Sequence, residues 1–125
     1  MYSSITWSHA RSPRNRGRLS EATTVGKSRY PKCGDHLQLF LLIEGEGIVQ
    51  ATFEAHACAP VVAMGSVGTS LLHGMAVGEA RGLSVFQLDE ALGKLPGPKR
   101  HAIWMFLEAL HLALDALSNQ EENHV

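Results

Sequence analysis

A chain of 125 residues, 45% of them hydrophobic, can bury one adequate core but is too short for two ordinary domains. With a formal net charge of −1 and a pI near 6.6, it has as a whole no electrostatic reason to seek nucleic acid or a membrane surface. The charge is nevertheless polarised. In the first 32 residues Arg11, Arg14, Arg16, Arg18, Lys27, Arg29 and Lys32 stand against Glu21 alone, so the remainder is net acidic.

Residues Met1 to Trp7 show no apolar run leading to a small-residue cleavage site, so no secretory signal is expected. No stretch reaches the apolar length of a transmembrane helix. A cytoplasmic protein with no membrane partner is the expectation, and its two cysteines are then free thiols, thiolate ligands or buried side chains, not a disulfide.

Residues 1–30 are rich in Ser, Arg, Gly and Pro, with little apolar periodicity around Ser12-Pro13-Arg14-Asn15-Arg16-Gly17-Arg18. They read as a flexible basic arm. Leu37 to Ile43 and Ile48 to Glu54 flank a Gly-containing loop, Glu44-Gly45-Glu46-Gly47, and predict a β-hairpin. After Cys58-Ala59-Pro60 the pattern turns helical: Pro60 suits the first helical position, Val61, Met64, Gly68, Leu71 and Leu72 recur near a 3.6 period, and Gly74 stops the run. Two brief helices are expected around Glu79–Leu83 and Val85–Leu92, before the breaker run Leu95-Pro96-Gly97-Pro98. The longest periodic stretch, Lys99 to Leu117, carries Ile103, Phe106, Leu107, Leu110, Ala113, Leu114 and Leu117 on one stripe, and a polar tail over 118–125 is expected to fray. Hairpin followed by helices predicts a single α+β domain over 1–125, with helices packed on one face of a small antiparallel sheet of about three strands.

Chemistry-bearing residues concentrate at the element ends. In Cys33-Gly34-Asp35, just before the first hairpin strand, residues two apart in an extended chain share a side, so a thiolate and a carboxylate can face one ion. A turn with a buried thiol and a capping Asp fits the same tripeptide. Cys58 lies where the second strand meets the helix opened by Pro60, and a helix N-terminus favours thiolate; a small hydrophobe at a strand end is the alternative. A hairpin brings the residue before its first strand and the residue after its second to one end. His101 begins the long helix, and neutral imidazole ligates iron and zinc well, although a His there also serves as a cap or a solvent-facing group. His36, His56 and His73 read as ordinary strand and helix-end residues. Cys33, Asp35, Cys58 and His101 make a set of mixed softness that suits zinc or an iron-sulfur cluster and not magnesium or calcium.

The chain resembles the NifU/IscU family from Pro13 through Leu114. The resemblance rests on Pro13-Arg14-Asn15-Arg16-Gly17-Arg18-Leu19, Pro31-Lys32-Cys33-Gly34-Asp35, and Phe53-Glu54-Ala55-His56-Ala57-Cys58-Ala59 ahead of a helix bearing Ser66 and Ser70. It continues through Gly74, Glu79-Ala80 and Leu95-Pro96-Gly97-Pro98-Lys99-Arg100-His101 into an Ala- and Leu-rich helix. It implies an iron-sulfur cluster assembly scaffold or carrier, not an enzyme, that binds iron and a labile [2Fe-2S] cluster. A cysteine desulfurase and apo iron-sulfur proteins are the implied partners, and a monomer or weak dimer the implied state. Cys33 and Cys58 match the family's first two cysteines, Asp35 its aspartate, and His101 the histidine before its third cysteine. That third position is Ala102 here; an offset by one residue, closer to the zinc-binding SufU branch, puts His101 itself in the cysteine's slot. Ala57 and Pro60 also depart from the family pattern. A zinc-holding interaction module is the alternative function, and a thiol enzyme with Cys58 activated by His101 a third, for which no substrate-binding motif is present.

Overall fold

The structure is a computed structural model that describes residues 2–32 and 34–122. Its elements are helix α1 (Ser4–Arg11), strands β1 (Thr24–Tyr30), β2 (Asp35–Glu44) and β3 (Gly47–His56), helices α2 (Ala59–Leu72), α3 (Val77–Arg81) and α4 (Val85–Ala91), a 3-10 turn at Gly97–Lys99, and helix α5 (His101–Glu122). Among the described residues the strands form one antiparallel sheet in the order β1-β2-β3. The expected α+β architecture is observed: the hairpin is β2 and β3, the helix after Cys58 is α2, the two brief helices are α3 and α4, and the long one is α5.

Two expectations are corrected. Residues 1–30 are not a free arm, because they contain α1 and β1. Ser3 caps α1 by accepting from the Thr6 N–H at 3.0 Å, and the fully buried Thr6 hydroxyl donates to the Leu92 carbonyl at 2.8 Å. The polar tail does not end the helix at Leu117, since α5 continues to Glu122; residues 123–125 lie outside the described residues.

The helices cover one sheet face. Leu37, Leu39, Leu41, Phe53 and Met64 are fully buried together with Ile103, Phe106, Leu110 and Leu114 of α5. Each large side chain so buried contributes about 1.5–3 kcal/mol. Glycines set the close contacts: a Cβ on Gly65 would lie 2.5 Å from the Phe53 ring, and one on Gly68 2.3 Å from the Phe106 ring. β1 meets α5 through small and hydroxyl residues. Thr24 donates to Ala113 O at 2.7 Å, Ser28 donates to Met105 O at 2.8 Å, and between them a Cβ on Gly26 would fall 1.8 Å from Ala109 O.

The basic run is part of this assembly. The Gly17 N–H donates to Phe53 O at 2.8 Å and Asn15 O accepts from Phe53 N–H at 3.0 Å, which adds this segment to the free edge of β3. The Arg16 guanidinium donates to Ala55 O at 2.9 Å, and Arg18 lies 5.4 Å from the centroid of Phe40, a ring on the sheet's outer face that is only 3% exposed.

Candidate metal centre

One end of the sheet gathers three element termini. Asp35 begins β2 opposite Tyr30, the last residue of β1. Cys58 is the N-cap of α2, two residues past the end of β3, with Pro60 in the first turn where its missing N–H costs nothing. His101 is the first residue of α5, delivered by the Pro-Gly-Pro breaker and the 3-10 turn.

At that end the ligand atoms of Asp35, Cys58 and His101 all lie within 4.8 Å of one another. His101 Nε2 is 3.7 Å from Asp35 Oδ2 and 3.9 Å from Cys58 Sγ, and the Cys58 N–H donates to Asp35 Oδ2 at 3.5 Å. Ligand bonds of about 2.0–2.3 Å arranged tetrahedrally set ligand atoms roughly 3.3–3.8 Å apart. The two separations from His101 Nε2 therefore come close to those of a single coordination sphere. A sulfur, a nitrogen and a carboxylate oxygen make a donor set that accepts zinc or iron.

Asp35 is 6% exposed, and the His101 side chain retains 15% of its surface. Tyr30 stacks on the imidazole at a centroid separation of 4.3 Å and an angle of 25°, fixing the plane of the ring. The neighbouring Arg100 pairs with Asp89 at 3.6 Å and ties the start of α5 to α4. The thiol does not follow the expectation of a lowered pKa. Burial pushes Cys58 up and the Asp35 carboxylate adds to this, while the Val61 N–H and the Lys99 charge pull the other way without prevailing. A bound cation reverses this balance, since a coordinating thiol is deprotonated outright.

Of the four residues singled out in the sequence, three converge; Cys33 lies outside the described residues. His101, not Ala102, is the α5 residue beside the thiol, and Ala102 is fully buried in the core cluster. Tyr30 and Arg100 were not anticipated as supports. Tyr30 follows the alternation Thr24, Gly26, Ser28, which carries too little hydrophobicity to announce a strand. The other histidines fall elsewhere: His73 caps the end of α2 with Nε2 2.9 Å from Ala51 O, while His36 and His56 are exposed on β2 and β3.

Fold and site define a small α+β protein with a mixed sulfur, nitrogen and oxygen donor set at one sheet end. The chain belongs to the NifU-like N terminal domain family, whose model matches residues 1–124. It is 32% identical over 114 residues to the iron-sulfur cluster assembly scaffold protein IscU 1 of Archaeoglobus fulgidus, a match covering 91% of this chain and 74% of that protein. It is 29% identical over 94 residues to the zinc-dependent sulfurtransferase SufU of Bacillus subtilis, covering 75% of this chain and 63% of that one. The fold is shared with the crystal structure of a NifU-like protein (N-terminal) from Brucella abortus at a TM-score of 0.74 and 18% identity, over 96% of this chain and 94% of that chain.

Proposed function

We propose that this chain is an iron-sulfur cluster assembly scaffold or carrier: it holds iron and a labile [2Fe-2S] cluster as cargo on Cys33, Asp35, Cys58 and His101 and hands it to apo-proteins. The observation that carries this reading is the convergence of Asp35, Cys58 and His101 at the sheet end where β2 begins, in a chain of this family. Imidazole and carboxylate complete the ligation that a third thiol would supply, as mixed His/Cys ligation does in Rieske centres. Ala102 has no atom that can carry sulfur or ligate iron. Sulfur therefore comes from a partner, a cysteine desulfurase, and the chain's part is holding and transfer without catalysis, in the cytoplasm and as a monomer or weak dimer. Holding the cargo on a carboxylate and an imidazole as well as thiolates, a weaker set than thiolates alone, favours release.

A second reading is a zinc-holding interaction module. The spacing of the three donors, which suits one tetrahedral ion, favours it. Anaerobic reconstitution with iron and sulfide, followed by mixing with an apo-ferredoxin, separates the two. Visible cluster absorption that moves to the acceptor supports the scaffold or carrier. Stoichiometric zinc that iron and sulfide do not displace supports the module.

A further inference from the structure

His36 and His56 are direct cross-strand partners in the β2–β3 ladder. Their neighbours Leu37 and Ala55 are buried beneath the helices, so strand alternation turns both imidazoles to the opposite, outer face, where both are exposed. With Lys27 and Gln38 they line a surface hollow of about 340 Å³. Directly opposed residues of an antiparallel pair have Cβ atoms about 4.5–5.5 Å apart. That span lets two imidazoles turn a ring nitrogen each toward one ion at about 2.0–2.1 Å.

The surrounding charges are mixed. Arg29 stands opposite His36 on the β1 side and Lys27 lines the hollow, both exposed, while Glu54 lies two residues before His56 on the same outer face. Glu54 sits diagonally from His36, about 7–8 Å away by ladder geometry, near enough to offset a cation electrostatically. Asp35 and Cys58, the neighbours in sequence, belong to the cluster with His101 and not to this face.

We propose that His36 and His56 form a second metal site, a cross-strand imidazole clamp on the outer face that takes one divalent ion of the class that prefers nitrogen donors, with zinc, nickel and copper as candidates. Water fills the rest of its coordination sphere, so the site is weaker and faster to exchange than one closed by four protein ligands. The sheet thus carries two metal sites at one end, one on each face.

Zinc is the probe, titrated calorimetrically into the tag-free full chain with imidazole resonances followed in parallel. The native chain is expected to take up two equivalents and to shift the His36 and His56 resonances with the weaker one. His36→Gln and His56→Gln are each expected to weaken that equivalent at least tenfold and leave the tighter one in place, because they lie on the surface away from Asp35, Cys58 and His101. Cys58→Ser is expected to keep the weaker equivalent. Zinc uptake that leaves the His36 and His56 resonances unmoved, or that both histidine substitutions leave unchanged, overturns the proposal. Neither result touches the cluster-holding reading, which depends on the other face.

Discussion

At Gly26 the β1 backbone comes so close to α5 that any side chain must collide with helix backbone, since an added Cβ would stand 1.8 Å from Ala109 O. Gly26→Ala is expected to lower stability by about 3 kcal/mol, the upper end of overpacking costs, as a reduced denaturant midpoint. The Cys58 thiol yields a prediction of a different kind. Its pKa is raised first by burial and then by Asp35, so in the metal-free chain alkylation at Cys58 is slow near neutral pH and accelerates only as pH climbs past the ordinary thiol range. Asp35→Asn removes a charge that disfavours thiolate, and site-resolved mass spectrometry should then find faster modification at the same pH. The sign for stability follows: a raised thiol pKa contributes stability that is present below the unfolded-state pKa and lost as pH rises through the folded one. Residue types and chain order pointed to Asp35, Cys58 and His101, because a hairpin and two helix starts are readable and bring their ends together. The stacking of Tyr30 on His101 was not readable, because it depends on a strand the pattern did not reveal.

That strand shows why element-level reading succeeded in one place and failed in another. β2 and β3 present Leu37, Leu39, Leu41, Ile48 and Phe53 to the core, and their existence and pairing follow from the run pattern alone. β1 buries Thr24, Gly26 and Ser28 instead, because the nearness of α5 leaves room only for small side chains and the hydroxyls bond directly to helix carbonyls. Hydrophobic alternation is absent for a packing reason, and composition alone looks like an arm. Helix α1 is hidden similarly: it is anchored by polar contacts, the Thr6 hydroxyl on Leu92 O and His9 Nδ1 at 2.7 Å from Ser66 Oγ. Thr6→Val keeps the shape but deletes the buried donor. It is expected to cost about 1–2 kcal/mol in urea unfolding while leaving cluster loading unchanged, because α1 supplies none of the site's donors. A variant that lost its cluster at unchanged stability would show that α1 shapes the site.

For the molecule as a whole, the fold brings the N-termini of α2 and α5 and the ends of β1, β2 and β3 to one place, and the donors of the candidate centre come from those termini. Changing one donor leaves the core intact, since Leu37, Phe53, Phe106 and Leu110 are buried independently of it. The family pattern in the sequence, from Pro13-Arg14-Asn15 to the Pro-Gly-Pro breaker, carried the architecture and the functional reading together. The replacement of the third thiol by Ala102 was legible there too, while the position of His101 against Cys58 emerges only from the packing of α5 beside the start of α2. The most direct test of the central claim is the visible absorption, with iron and sulfide content, of the native chain and of Cys58→Ser after identical anaerobic reconstitution. A cluster spectrum with near-equal iron and sulfide is expected in the native chain, and its loss in the variant, with the variant still folded by circular dichroism. A native chain that stays colourless, or a spectrum that survives in Cys58→Ser, would contradict the claim.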